Sequence, residues 1–216
     1  GVYYNPTLNI DGKQVAYKDS TYITDLLTDH TLKWLKERDK DKPFFVYLSH
    51  KAVHSGFMPA KRHKGMYKDK KYMLPITYDQ TKTGVYRDLK WPEWVAQQRV
   101  SWHGVDYMYN KNDDMNTMVQ DYCETLMGVD ESVGAVLDYL KKEGLDESTL
   151  VIYMGDNGFS WGEHGLIDKR HFYEESVKIP FLVRCPELVQ GGKVIERMVQ
   201  NVDIAPTCLE MAGLKK

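Results

Sequence analysis

Two stretches of the sequence carry side chains that can do chemistry on a charged substrate. The first is Gly155-Asp156-Asn157-Gly158, which offers a carboxylate and an amide oxygen on neighbouring residues. Hard cations such as Ca²⁺ and Mg²⁺ bind oxygen ligands of this kind. The same residues are also typical of an ordinary turn, because Asp, Asn and Gly favour turn conformations. The pattern alone leaves both interpretations open.

The second stretch, residues 49–54, contains His50, Lys51 and His54. Histidine is the commonest general acid or base near neutral pH, so this stretch is a candidate for proton transfer. Its histidines are not accompanied by Cys or His residues at the spacing of a zinc site. An isolated histidine after a strand is otherwise structural or solvated, and Lys169 taken alone would be a surface charge.

Helical periodicity predicts several of the elements that position these stretches. Apolar residues at helical spacing indicate helices over residues 21–38 and 114–142. Asp203 is expected to cap a final helix, with Pro206 in its first turn and Gly213 at its end.

Short apolar runs predict three buried strands, over residues 44–48, 150–154 and 179–183. The stretch with His54 follows the first strand, and the stretch with Asp156 follows the second. Ligands bind beyond the carboxyl ends of strands in open α/β sheets, so both stretches are candidates for a ligand site. Helices that alternate with such strands indicate an α/β fold with a mostly parallel sheet.

The middle of the chain is different, because residues 55–113 show no clear periodicity. We expect them to form an irregular insert on the substrate side of a single partial domain that spans residues 1–216. The length of 216 residues suits one domain or part of one. The chain begins with Gly1 and not with Met, and has no basic and apolar leader, which indicates a piece of a longer protein.

The composition excludes several classes of protein. A net charge of −2 with 42% hydrophobic residues argues against disorder, which needs low hydrophobicity and high net charge. A pI near 6.4 gives no reason to expect nucleic acid as a partner. No apolar run approaches the roughly 18 residues that a membrane span needs. The three widely spaced cysteines, Cys123, Cys185 and Cys208, predict buried small side chains and no disulfide framework.

The order of several motifs resembles the sulfatase family. These motifs are Pro43-Phe44-Phe45 leading to His54, Asp130 with Val133-Gly134, residues 154–158, Gly162-Glu163-His164-Gly165-Leu166, Asp168-Lys169-Arg170, Tyr173-Glu174-Glu175, Ile179-Pro180 and residues 201–207. Tyr3-Tyr4-Asn5 and residues 8–13 are similar to the N-acetylglucosamine-6-sulfatase branch and related glycan sulfatases. Apart from the irregular middle, the resemblance covers nearly the whole chain.

The resemblance implies an α/β/α sandwich of the alkaline-phosphatase-like type, truncated at its N-terminus. Asp156 and Asn157 match the second half of the family's calcium site. His54 matches the histidine that protonates the departing alcohol oxygen, and Lys169 matches the lysine that holds a sulfate oxygen. His164 lies in a family motif near the site and, with Lys51, is a candidate for binding substrate.

The family's nucleophile is a formylglycine made from Cys or Ser in a C/S-x-P/A-x-R segment, and this chain has no such segment. Cys185 and Cys208 do not fit that pattern, and no tandem aspartates precede His54. We therefore expect the C-terminal part of a sulfatase catalytic domain, inactive alone, with half a calcium site. By resemblance, the parent protein is secreted, periplasmic or lysosomal.

The implied function is hydrolysis of sulfate esters on sulfated glycans, with 6-sulfated N-acetylglucosamine favoured. Two alternatives remain open, a phosphodiesterase or phosphonate monoester hydrolase of the same superfamily and a non-catalytic glycan-binding fragment.

The basic run at residues 61–64 could steer a sulfated glycan or form a solvated loop. Trp91, Trp94 and Trp102 could stack on sugar rings or be buried under the loop. A truncated sheet edge predicts self-association.

Overall fold

A computed structural model of the chain describes residues 1–79, 93–110 and 114–214. These residues contain five α-helices, α1 (Ile23–Glu37), α2 (Glu93–Gln97), α3 (Met115–Lys142), α4 (Glu174–Val177) and α5 (Ile204–Met211). They also contain six strands, β1 (Thr7–Ile10), β2 (Lys13–Ala16), β3 (Val151–Met154), β4 (Ser160–Trp161), β5 (Ile167–Asp168) and β6 (Phe181–Arg184). Short 3-10 helices lie at Gln98–Val100, Met108–Asn110, Glu163–Gly165 and Asn201–Asp203.

The two long helices are confirmed close to their predicted bounds, and they pack against each other. Gly128 of α3 lies so near Tyr22 and Thr24 that an added Cβ would stand 3.3 Å from the Tyr22 ring. A glycine here lets the two helices approach closely. At the same interface, the Thr28 hydroxyl donates a buried hydrogen bond of 2.6 Å to Ser132 Oγ.

The ends of α3 follow the capping chemistry expected from the sequence. The Asp114 carboxylate accepts a hydrogen bond of 2.9 Å from the backbone N–H of Thr117, which satisfies a donor that the helix leaves unpaired. Gly144 has φ +67°, the left-handed conformation typical of the residue after a helix.

The strands of the described residues pair differently from the prediction of a mostly parallel sheet. They form three two-stranded antiparallel sheets, β1–β2, β3–β6 and β4–β5. The runs at 150–154 and 179–183 do become β3 and β6, but they pair with each other. An apolar run predicts the strand, whereas the direction of pairing depends on which other strand lies beside it.

The predicted strand at residues 44–48 is wrong, because these residues form no strand. Phe45 is exposed and Tyr47 has 83% of its surface accessible. A strand requires hydrogen bonds to a neighbouring strand, and within the described parts of the chain no strand pairs with this run. The preference of these residues for a strand conformation therefore does not produce a strand.

The β1–β2 hairpin was not predicted, although the sequence contains its signal. Its strands pair from Thr7 opposite Ala16 to Ile10 opposite Lys13. The turn residues Asp11 and Gly12 have φ +50° and +83°, which is the conformation of a two-residue hairpin turn. An Asp-Gly pair between short strands is a strong hairpin signal, and a search for helical periodicity overlooks it.

A buried core joins the parts of the chain that carry the predicted site residues. Its buried members are Phe57, Val105, Met115, Met118 and Ile167. Phe57 follows the His54 loop, and Ile167 lies in β5, just before Lys169. One apolar cluster therefore supports both the histidine loop and the lysine.

The cysteines and the helices test two predictions made from composition. The cysteines are unpaired, but only Cys185 is fully buried, while Cys123 and Cys208 are half-buried. Across the described ranges, no helix has the length and apolar character that crossing a membrane requires. Residues 80–92 and 111–113 of the predicted insert, including Trp91, lie outside the described residues.

Candidate active site

The loop that carries His54 is fixed from both sides. The Tyr3 hydroxyl donates a hydrogen bond of 2.6 Å to the main-chain carbonyl of His54. The His54 N–H in turn donates to the carbonyl of Lys51 at 3.1 Å, which closes a turn. Phe57 is buried in the core immediately beyond. These contacts hold the loop while the His54 side chain remains exposed.

The two histidines of the loop occupy different environments. The His50 ring lies against α3, with Nε2 3.0 Å from Ser132 Oγ, and its burial lowers its pKa. His54 points outward, and its Nδ1 lies 3.4 Å from Ser55 Oγ. The Nε2 atom of His54 is therefore the ring nitrogen directed away from its own loop. His50 is structural, and His54 is the histidine available to a substrate.

Three of the predicted site residues converge. Partial burial and the positive charge of Lys51 lower the pKa of His54, and Lys169 lowers it further. Partial burial and the charge of Lys169 also lower the pKa of Lys51. Phe57 and Ile167 share one core, which brings the His54 loop near β5, and these charge effects weaken with distance. His54, Lys51 and Lys169 are therefore treated as one neighbourhood, called here the His54–Lys169 centre. A site of this charge suits an anion.

A ring contact orients Lys51 within this centre. Its ammonium group lies 4.6 Å from the centre of the Tyr3 ring, a cation–π distance. Tyr3 thus contacts both halves of the loop, through its ring at Lys51 and through its hydroxyl at His54.

Lys169 directly follows the short β4–β5 hairpin, whose register pairs Ser160 with Asp168 and Trp161 with Ile167. Asp168 has φ +85° and is only 2% exposed. A non-glycine residue in this conformation is strained, and the surrounding contacts must maintain it. The bend at Asp168 sets the direction in which the chain presents Lys169.

The contacts of Asp168 reveal residues that sequence reasoning missed. Its carboxylate lies 2.7 Å from His103 Nδ1 and also forms an ion pair with Arg170. Burial and the charge of Arg170 lower the pKa of His103. His103 belongs to the irregular middle of the chain, where no pattern marks it. Asp168 and Arg170 were noted only as parts of a motif.

The segment around His103 is bound firmly to β5. The Ile167 N–H donates to the His103 carbonyl at 2.8 Å, and the Val105 N–H donates to the Gly165 carbonyl at 3.1 Å. Arg99 is buried beside Gly165 and makes a two-pronged ion pair with Asp106, at 3.1 Å for each nitrogen. Part of the irregular middle is therefore built into the candidate site.

His164 is held in place by its neighbours. It has φ +57°, its N–H donates to Thr77 Oγ1 at 3.1 Å, and its ring stacks on Tyr173 at 4.1 Å between centroids. These contacts support a packing role. Its predicted contact with substrate stays a prediction.

Asp156 and Asn157 lie where predicted, just after β3. The Asn157 side-chain amide donates to the Gly158 carbonyl at 2.7 Å, so its oxygen is left available as a ligand. The Asp156 carboxylate is exposed and accepts from the Asn157 N–H at 3.0 Å. Asn201 fixes the loop from outside, since its side chain donates to the Asp156 carbonyl at 3.1 Å.

These two oxygen donors fit a hard cation, but only as part of a ligand set. Calcium takes six to eight oxygens. Over residues 1–79, 93–110 and 114–214, no cluster of three or more His, Cys, Asp or Glu side chains could hold a metal. The contacts described for Asp156 and Asn157 within these ranges do not reach the His54–Lys169 centre.

Part of the basic run at residues 61–64 is paired. Arg62 forms a two-pronged contact with Asp25 of α1, at 2.7 and 2.8 Å, and its Nε donates to Glu131 of α3 at 2.8 Å. His63 is buried, with Nε2 2.8 Å from the same glutamate. Arg62 and His63 therefore anchor the segment after His54 onto both long helices.

Comparison with known proteins decides the family. The sulfatase family profile matches residues 2–214. The chain belongs to the sulfatase family. A curated relative, the N-acetylglucosamine-6-O-sulfatase of Bacteroides thetaiotaomicron, is 30% identical over 274 aligned positions. That alignment covers 100% of this chain and 47% of the relative, so the chain spans about half the length of that sulfatase.

Solved structures agree with the sulfatase assignment. The structure of BT4656 in complex with its substrate D-glucosamine-2-N,6-O-disulfate superposes with a TM-score of 0.78 at 29% identity, covering 99% of this chain and 53% of that one. The phosphonate monoester hydrolase of Silicibacter pomeroyi superposes with a TM-score of 0.72 at 20% identity, covering 99% and 43%. The second likeness shows the shared alkaline-phosphatase-like fold alone.

Proposed function

We propose that the protein containing this chain is a sulfuric ester hydrolase acting on sulfated glycans, with 6-sulfated N-acetylglucosamine as favoured substrate. The observation that carries the proposal is the convergence of His54, Lys51 and Lys169 in a sulfatase family member. The names of the related N-acetylglucosamine-6-O-sulfatase and of the substrate bound to BT4656 support the choice of sugar.

In this proposal, Lys169 and Lys51 bind the sulfate group through electrostatic attraction. Cleavage of a sulfate ester redistributes negative charge over the sulfuryl oxygens and builds charge on the bridging oxygen. A fixed positive charge close to the sulfuryl oxygens stabilises that distribution more than it stabilises the substrate alone. Lys169 is the residue assigned to a sulfuryl oxygen, and Lys51 adds a second charge beside it.

His54 is assigned the proton transfer to the departing alcohol oxygen, from Nε2. The neighbouring lysines make protonated His54 a stronger acid, because they lower its pKa. The negative charge of a bound sulfate opposes that effect and keeps the proton on His54 until the bond breaks. The hydrogen bond from Tyr3 fixes the main chain of the His54 loop and so limits the movement of the residue that carries the ring.

Asp156 and Asn157 would supply part of a calcium site, as their oxygen donors allow. When bound, calcium would neutralise charge on the sulfuryl oxygens. The formylglycine nucleophile and the other calcium ligands belong, in this proposal, to a segment N-terminal to residue 1. The α/β/α sandwich with a mostly parallel sheet likewise belongs to the complete domain.

We assign residues 55–113 to a substrate-side insert. The contact of His103 with Asp168 supports this assignment. Secretion, to a periplasm or a lysosome, suits an enzyme that degrades extracellular glycans.

The exposed Tyr47 and Leu182 supply an apolar surface through which this chain alone would self-associate. Light scattering measures this self-association directly.

A product assay separates the proposal from its alternative. The full-length protein is incubated with 6-sulfated N-acetylglucosamine, a phosphodiester and a phosphonate monoester at equal concentrations. We expect release of inorganic sulfate at the highest kcat/KM. Faster turnover of the phosphodiester or the phosphonate would favour the hydrolase alternative. Residues 1–216 alone should show no turnover above buffer, and clear turnover would contradict the incomplete site.

A further inference from the structure

Two exposed aromatic side chains lie in the segment that is hydrogen-bonded to Gly165 and Ile167, which are close in sequence to Lys169. Trp102 is 51% exposed, and Tyr107 is 40% exposed. Their ring centroids are 6.0 Å apart and the rings are tilted by 52° to each other, so they form one bent aromatic surface, called here the Trp102–Tyr107 face. Large aromatic side chains gain free energy from burial, and an exposed pair of them is a candidate binding surface.

A chain of contacts connects this face to Lys169. The Tyr109 ring packs at 6.1 Å from both the Trp102 and the His103 rings. His103 Nδ1 lies 2.7 Å from the buried carboxylate of Asp168, which directly precedes Lys169 in the chain. Packed side chains therefore connect the Trp102–Tyr107 face to Asp168, the residue that precedes Lys169.

The edge of the face is polar and positively charged. Arg170 Nη1 lies 3.5 Å from His103 Nδ1, and most of the Arg170 side chain is exposed. The Arg170 charge also acts on the hydroxyl of Tyr109, whose pKa burial raises to about 12. A ligand on this face meets aromatic carbon in the middle and hydrogen-bond donors at one side.

This combination matches a pyranose ring. One face of a sugar ring presents C–H groups that pack on aromatic carbon, while its rim carries hydroxyl groups that accept hydrogen bonds. Binding sites for small ligands combine an apolar surface with a few placed polar groups in the same way. The segment that carries the face contacts Asp168, which directly precedes Lys169, the residue assigned to the sulfate group.

We propose that the Trp102–Tyr107 face binds the sugar unit adjacent to the one that carries the sulfate ester, so that the enzyme prefers a glycan chain to a free monosaccharide. The inference rests on the proposed sulfatase function and adds a second subsite to it. Trp102 supplies the stacking surface and Tyr107 extends it.

The test compares substrates of two lengths in the full-length protein. Trp102→Ala removes the face, Trp102→Phe keeps an aromatic ring, and Trp94→Ala removes a Trp of α2 that is 64% exposed, as a matched control. kcat/KM is measured on 6-sulfated N-acetylglucosamine and on a tetrasaccharide that ends in it. Far-UV circular dichroism checks that each variant is folded.

We expect Trp102→Ala to lower kcat/KM for the tetrasaccharide roughly ten-fold and for the monosaccharide less than two-fold, since one face of a ring is left unburied. Trp102→Phe should retain most of the activity on the tetrasaccharide, and Trp94→Ala should change neither substrate. Equal losses on both substrates, or none on the tetrasaccharide, would overturn the subsite while leaving the sulfatase function intact. A wild-type protein that hydrolyses neither would overturn both.

Discussion

The Tyr3 hydroxyl donates a hydrogen bond of 2.6 Å to the main-chain carbonyl of His54, across a sequence separation of 51 residues. Tyr3 is itself buried against Tyr22, Ile23 and Ala60. The N-terminal residues of the chain are thus part of the support of the candidate acid. Burial and the nearby Tyr22 ring raise the pKa of Tyr3, so its hydroxyl stays protonated and remains a donor at neutral pH.

Removing this hydroxyl should loosen the His54 loop. We predict that Tyr3→Phe lowers the free energy of unfolding by about 1–2 kcal/mol, because the partly buried hydrogen bond to the His54 carbonyl is lost. Urea unfolding of residues 1–216 measures the change. Tyr47→Phe is the control, since Tyr47 is 83% exposed, and it should have no effect. Equal stability of the two variants would show that the hydrogen bond contributes nothing.

The titration of His54 reports the cationic centre directly. We predict a folded-state pKa below the ordinary 6.5, since partial burial and the Lys51 and Lys169 charges disfavour the protonated ring. Lys51→Met should move the NMR titration midpoint of His54 upward, because one positive charge is removed. Lys13→Met, an exposed change on β2, should leave the midpoint in place. If Lys51→Met left the midpoint unchanged, the Lys51 charge would lie too far from His54 to affect its pKa.

Gly158 tests how tightly the Asp156–Asn157 loop is packed. An added Cβ would stand 2.0 Å from the Glu175 carbonyl oxygen and 2.8 Å from that of Lys178. Because both obstacles are backbone, we predict that Gly158→Ala destabilises the chain by about 1–3 kcal/mol or more. At Gly134, in the interior of α3, an added Cβ meets nothing within 4 Å. Gly134→Ala should therefore stabilise by up to about 1 kcal/mol, and thermal unfolding of both variants checks the contrast.

Calcium should bind this chain weakly. Asp156 and Asn157 provide only part of the oxygen ligands that the ion needs. We predict that titration calorimetry of residues 1–216 finds no dissociation constant below the micromolar range. Asp156→Asn should weaken the residual binding further, because it removes the carboxylate charge. Submicromolar binding by the wild-type chain would contradict a partial site.

The sequence predicted correctly those helices and strands whose formation depends mainly on their own residues. The apolar stripe and the Asp114 cap predicted α3, and the run at 150–154 predicted β3. The run at 44–48 has an equally strong preference, yet it forms no strand, because pairing depends on a partner that the run does not encode. For the same reason, the antiparallel pairing of β3 with β6 was not predictable from the strands alone.

The candidate site shows a similar division. Short apolar runs predicted a strand before His54 and another before Asp156, and only the second is present. The family resemblance alone connected His54 to Lys169. His103 was not predictable from any pattern, since its role depends on a contact with the Asp168 carboxylate that tertiary structure creates. The exposure of Trp102 was equally unpredictable, because an aromatic residue in an irregular segment can face either way.

The most direct test of the account is sulfate release from 6-sulfated N-acetylglucosamine by the full-length protein and its His54→Ala and Lys169→Ala variants. The account predicts turnover by the wild type, with kcat lowered about 10²–10⁴-fold in His54→Ala and by a comparable factor in Lys169→Ala. Lys64→Ala, a change in the basic run, serves as the control and should retain full activity. Sulfate release by His54→Ala or Lys169→Ala at the wild-type rate would contradict the assignment of these residues.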